Sequence, residues 1–211
     1  GKNILARAAT AEAGAQLYIL SIQRLMSEPN EMKLRGVFEK ARESVPSVIL
    51  IPDLKALTLE GQKSPVAQQI ISWLVSEMDA LEDFGRVIVI GITSSPEELE
   101  QSLRQRFQKE IEVSLPDRQG RHEILKILTR KMPLASDVDL EKLADMTDKY
   151  RGVHLGEVCQ EAATRALRRT LEQEKLIDEE IPKEKLEQIK IEMDDFAHAI
   201  NLVKPEETGT Y

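Results

Sequence analysis

A single cysteine, Cys159, stands in 211 residues, so no internal disulfide can form and no set of thiolates can hold a metal. The three histidines, His122, His154 and His198, lack the spacing of zinc ligands. Aromatic residues make up only 4% of the chain, which leaves Ile, Leu, Val and Ala to fill any core. No apolar run approaches the roughly 20 residues a bilayer span requires, and the opening Gly-Lys-Asn-Ile-Leu-Ala-Arg lacks the apolar stretch of a secretory signal. Basic side chains are also outnumbered, 29 against 37 acidic for a net charge of -8, which argues against a dedicated binder of phosphate backbones. These absences predict a protein of a reducing, cytoplasmic compartment, with no membrane span and no nucleic acid as partner.

What is present divides into two textures. From Ile4 to about Asp117, helical patterns alternate with short runs that are almost wholly apolar: Leu17–Leu20, Ser47–Ile51 and Arg86–Gly91. Such runs have too few polar positions for half-exposed strands and predict central strands of a parallel sheet covered on both faces. Helices are predicted between them over Ile4–Ala13, Met32–Glu43 and Val66–Leu81, and Ile111–Leu115 is predicted as a last strand. Strand alternating with helix marks a doubly wound, mostly parallel α/β layer. After Pro116-Asp117 the strands stop. Arg118–Lys131, Leu140–Met146, Leu155–Gln173, Lys183–Ile189 and Asp194–Val203 all read as helices, with Asp139 and the pair Asp194-Asp195 placed as caps or N-terminal acids. The division is therefore an α/β domain over 1–116 and a small all-helical domain over 117–211. Glu172–Glu187 is charge-rich and reads as an exposed connection.

Chemistry starts at the first residues. Gly1-Lys2, followed by Asn3, Ile4 and an Ala-rich helix, is what remains of a phosphate-binding loop without its preceding strand and glycines. In such a loop the amides of the helix N-terminus hold phosphate, the lysine reaches the β and γ phosphates, and a following hydroxyl ligates magnesium. Asn3 stands where that hydroxyl belongs. Its amide oxygen can coordinate a metal, but the longer side chain displaces the ligand.

Read in order, the later segments carry a resemblance. The helix Glu31–Ala41 and the run Arg42–Ile51, then Met78-Asp79-Ala80-Leu81, then Val87–Ile90 with Gly91–Pro96, then Leu103–Phe107 through Ile111, resemble successive landmarks of the AAA ATPases. Leu115–Arg121 with Glu123-Ile124-Leu125 is similar to the entry into that family's helical lid, and Gly152–Leu155 running into Cys159–Ala163 is similar to its lid helix beside adenine. The resemblance covers essentially the whole chain, and within the family the tail from Glu180 to Pro205 is similar to the first ATPase domain of archaeal valosin-containing-protein-type unfoldases. It implies a P-loop α/β domain, here without its first strand, followed by a lid. It also implies ATP or ADP and Mg2+ as cofactors, and a ring, hexameric in the family, of like or unlike AAA subunits that acts on protein substrates through adaptors.

By the same resemblance Gly1, Lys2, Asn3, Ile4, Ser94, Gly152 and Val153 are the candidate nucleotide contacts, Asn3 the candidate metal ligand, and Asp53 and Arg106 the candidate catalytic residues. Several depart from the family. Pro52-Asp53 replaces the Asp-Glu pair that ends Walker B, so the magnesium carboxylate is missing, and Asp53 falls short of the usual reach by roughly an ångström, a displacement that can cost about a hundredfold in rate. Asp53 reads in preference as a helix or turn cap. Ser94 replaces the sensor asparagine, and Leu128 replaces a ribose-contacting histidine. Arg106 matches an arginine finger in a segment two residues shorter than usual, or else is a surface arginine. Gly152 and Val153 either line an adenine pocket or start a helix. Leu25-Met26-Ser27 runs directly into Glu28-Pro29-Asn30, without the aromatic with which family members grip polypeptide. Phe38 and Trp73 read as core residues, and Arg165, Arg168 and Arg169 as a solvated helix face. The leading expectation is an ATP-binding module deficient in hydrolysis. The alternatives are an active but atypical ATPase and a docking domain that never meets nucleotide.

Overall fold

The computed structural model describes residues 1–57, 64–81, 85–173 and 189–205. They form two compact units, Lys2–Val113 and Ser114–Tyr211.

The first unit is a parallel sheet with helices. It opens with α1 (Lys2–Glu12), which ends at Gly14, where φ of +61° suits a residue with no Cβ. Then come β1 (Gln16–Ile19), α2 (Ile22–Ser27), α3 (Glu31–Glu43), β2 (Ser47–Ile51), α4 (Pro65–Asp79), β3 (Val87–Gly91) and a short α5 (Gln101–Arg104). The strand order is β1-β2-β3, with Gln16 opposite Ser47 and Ser47 opposite Val87. Every residue of β2 is buried, as its unbroken apolar sequence requires. β1 and β3 differ from the expectation of cover on both faces: Ile19 is 44% exposed and Ile88 59%, because these strands are the edges of the described sheet. The expected strand Ile111–Leu115 also fails to form. A strand exists only by pairing, and no described strand lies beside this run, so Ile111 is left 75% exposed.

The core beneath the sheet contains Ile22, Leu25, Leu34, Phe38, Leu54, Ile70, Leu74 and Leu103, with Trp73 packed against it. Within it α3 and α4 are joined by a charge cluster: Glu77, 9% exposed, accepts from Arg35 Nε at 3.2 Å and Arg42 Nη2 at 2.6 Å. Asn30 caps α3 by accepting from the Lys33 amide at 3.1 Å.

The second unit contains α6 (Arg118–Thr129), α7 (Leu140–Met146), α8 (Gly152–Gln173) and α9 (Met193–Leu202). Asp117 and Asp139 cap α6 and α7. Arg121, 6% exposed, donates to the carbonyls of Ala144 and Pro116, and buried Cys159 has its thiol pushed up to about 11 by burial. The arginine cluster is a correction. Arg168 is exposed, but Arg165 donates to Asp194 at 2.9 Å and Arg169 to Glu192 at 2.9 Å and Asp195 at 3.1 Å. The two guanidiniums therefore fasten α8 to the N-terminal turn of α9, where acids already favour the helix dipole. The expected helix Lys183–Ile189, apart from Ile189, and most of the expected connection Glu172–Glu187 lie outside the described residues.

Candidate functional site

Parallel strands end at one edge of their sheet, and that edge is where α/β folds gather ligand-binding groups. Here the tips of β2 and β3 are tied together beyond the ladder: the Ile92 amide donates to Ile51 at 2.8 Å and the Leu54 amide to Ile92 at 3.1 Å. Gly91, the last residue of β3, is required by close packing. A Cβ there would lie 2.4 Å from Leu54 Cδ1 and 2.8 Å from Phe107 Cζ.

Lys2, in the first turn of α1, sends its Nζ to the Thr93 carbonyl at 2.6 Å. A cation and an acid-free helix N-terminus thus meet the β3 tip, a combination that attracts anions. Ser94 is exposed on the loop beyond Thr93, whose hydroxyl accepts from the Ser95 amide at 3.1 Å. Gly1 and Asn3 are exposed, and Ile4 is 73% exposed.

Pro52 follows the last residue of β2 and contributes neither N–H nor charge. The Asp53 carboxylate is occupied within the protein. Its Oδ1 accepts from the Ile22 amide at 3.0 Å, and its Oδ2 accepts from the Gln23 amide at 3.1 Å and the Ser21 hydroxyl at 3.3 Å. It therefore caps α2 from thirty residues away.

This donor set does not fit magnesium. A small hard cation takes octahedral oxygens, several of them water, and is anchored by one or two carboxylates together with substrate phosphates. Pro52 supplies none, Asp53 is committed to three N–H and O–H donors, and Asn3 offers a neutral amide. Among the described residues no group of three or more His, Cys, Asp or Glu side chains is placed to hold a metal ion.

Arg106 lies elsewhere on the same unit. Its Nε and Nη2 grip Asp79 at 2.6 and 3.1 Å, a two-pronged pair that holds the Asp79 carboxyl below its ordinary range. The guanidinium side chain remains 33% exposed. Gly152 and Val153 belong to the second unit, where they begin α8; Val153 is 66% exposed, and Leu128 is 38% exposed. Sequence reasoning passed over the neighbouring Tyr150. Its ring is 5% exposed and meets His154 edge-on at 5.9 Å, while its hydroxyl is shared by the carbonyls of Ile200 and Val203 at the end of α9. No described helix is long and apolar enough to cross a membrane.

Residues 1–115 match the family model described as ATPase family associated with various cellular activities (AAA). The chain is 40% identical to a cell division cycle protein 48 homolog of Archaeoglobus fulgidus, across 97% of this chain and 29% of that protein. It is 39% identical to protein SAV of Sulfolobus acidocaldarius, across 97% of this chain and 27% of that protein. It is 37% identical to protein CdcH of Halobacterium salinarum, across 97% and 29% respectively. The chain spans less than a third of the length of these curated relatives.

Proposed function

The chain belongs to the AAA family of ATPases, and from that premise we propose that it is a nucleotide-binding ring module whose own site is deficient in hydrolysis. The α/β domain over 1–116 holds phosphate through Lys2 and the α1 N-terminus, and the helical domain over 117–211 corresponds to the family's lid, of which Gly152 and Val153 are the candidate adenine contacts. The module packs into a ring with other AAA subunits, of the kind that remodels proteins, and offers Arg106 to an active neighbour.

The observation that carries the reading is the state of the β2 tip. Proline stands where a metal-binding carboxylate is needed, and the one acid there, Asp53, already accepts from Ser21, Ile22 and Gln23. A carboxylate that already accepts from three donors of its own chain has little acceptor capacity left to orient a water. Retention of Lys2 at the β3 tip supports binding of the triphosphate and speaks against a docking domain that never meets nucleotide.

The test is turnover by the purified chain. We expect no magnesium-dependent ATP hydrolysis above background, and saturable binding of a fluorescent ATP analogue that Lys2→Ala weakens at least tenfold. Hydrolysis that disappears in Asp53→Ala would establish the active, atypical ATPase instead. Absence of any saturable binding would reduce the chain to a docking domain.

A further inference from the structure

The chain leaves β3 from a fixed root. The Ile92 amide donates to Ile51 at 2.8 Å and the Ile92 carbonyl accepts from the Leu54 amide at 3.1 Å, so Thr93 follows backbone that is held on both sides. The Thr93 hydroxyl then accepts from the Ser95 amide at 3.1 Å. A bond of that kind closes a small turn of side chain on backbone, and the ring it closes runs through the peptide group joining Thr93 to Ser94. The carbonyl of this same peptide group accepts from Lys2 Nζ at 2.6 Å. Its direction is therefore set twice, by the clamped Ile92 before it and by the hydroxyl ring around it. An ammonium carries three N–H donors; one is used on Thr93, and two remain for an anion.

We propose that Thr93 is a positioning residue for the phosphate-binding lysine: its hydroxyl, by closing the turn onto Ser95, aims the carbonyl that holds the Lys2 ammonium at the β3 tip. A free lysine side chain samples many rotamers, and fixing it before the ligand arrives removes that cost from binding. The exposed Ser94 lies within the same ring and is directed by the same bond. The role rests on the reading of Lys2 as a phosphate contact, and it names the group that decides where that contact stands.

The test uses the full chain and a fluorescent ATP analogue, with amide hydrogen exchange at Ser95 and Ile92. Thr93→Val keeps the shape and removes the acceptor; it should bind the analogue about three- to tenfold more weakly and exchange the Ser95 amide faster by a similar factor, with the Ile92 amide unchanged. Thr93→Ser keeps the acceptor and should retain the wild-type values of both. In a Lys2→Ala background Thr93→Val should weaken binding no further, because the hydroxyl acts through Lys2. If valine also speeds exchange at Ile92, the smaller Thr93→Ala carries the test. Wild-type affinity in the variants that lack the hydroxyl would overturn the proposal, as would a serine variant as weak as the valine one, or equal weakening with and without Lys2. Absence of saturable binding by the wild type would defeat the nucleotide reading itself and this role with it, whereas binding that ignores Thr93 would defeat the role alone.

Discussion

At the scale of single residues, side chains at the sheet edge are set by contacts with little slack. Gly91 is the clearest case. The nearest atoms to an added Cβ are side-chain ends of Leu54 and Phe107, at 2.4 and 2.8 Å, so both must move. Overpacking of that kind costs about 1–3 kcal/mol, and Gly91→Ala should lower the denaturant midpoint accordingly with an unchanged slope. Asp79 gives a pH prediction. Its hydrogen bond to Arg106 holds its carboxyl below the ordinary aspartate range. A depressed folded value means that the contribution is complete above the ordinary aspartate range and is lost as pH falls through the folded value. Because the pair is exposed and screened, its effect is small; an NMR titration should place the Asp79 midpoint below 3.8, and Arg106→Ala should return it to the usual range. The identities of Lys2, Asp53 and Arg106 as candidate residues were legible from motif order. Their partners were not, since Thr93, Ile22 and Asp79 lie 91, 31 and 27 positions away, and no local pattern encodes such pairs.

At the scale of elements, legibility followed the source of stability. β2 and the helices α3, α4, α6 and α7 were readable to within a few residues, because apolar periodicity and local caps such as Asn30, Asp117 and Asp139 define them. Helix α2 was missed because its cap comes from Asp53, in the turn beyond β2. Ile111–Leu115 misled for the converse reason: alternation supplies a face, but pairing needs a neighbour. The joint between α3 and α4 was equally hidden, although it is testable. Glu77 sits between Arg35 and Arg42 at 3.2 and 2.6 Å and is 9% exposed. Replacing a largely buried acid by its amide leaves two guanidiniums facing a neutral group. Glu77→Gln should therefore cost about 2–3 kcal/mol in chemical denaturation. Glu31→Gln, which removes only an exposed partner of Arg35, should cost at most about 0.5 kcal/mol.

At the scale of the whole molecule, the two units and their family are the robust features, and the state of the nucleotide site is the variable one. Family membership was legible because it rests on the order of many segments, and no single substitution can erase it. The consequence for stability follows by linkage: a ligand that binds only the folded chain stabilises it by about 2.7 kcal/mol at a hundredfold excess over its dissociation constant. For a chain of this size that corresponds to a rise in Tm of roughly 5–10 °C. A site that holds phosphate through Lys2 but offers magnesium no anionic oxygen should give the same rise with ATP in EDTA as with ATP and magnesium. Differential scanning fluorimetry at matched ionic strength measures both. Equal shifts, absent in Lys2→Ala, follow from a cradle that recognises the triphosphate alone. A larger shift with magnesium would point to a protein oxygen on the ion, either the Asn3 amide oxygen or an Asp53 released from α2.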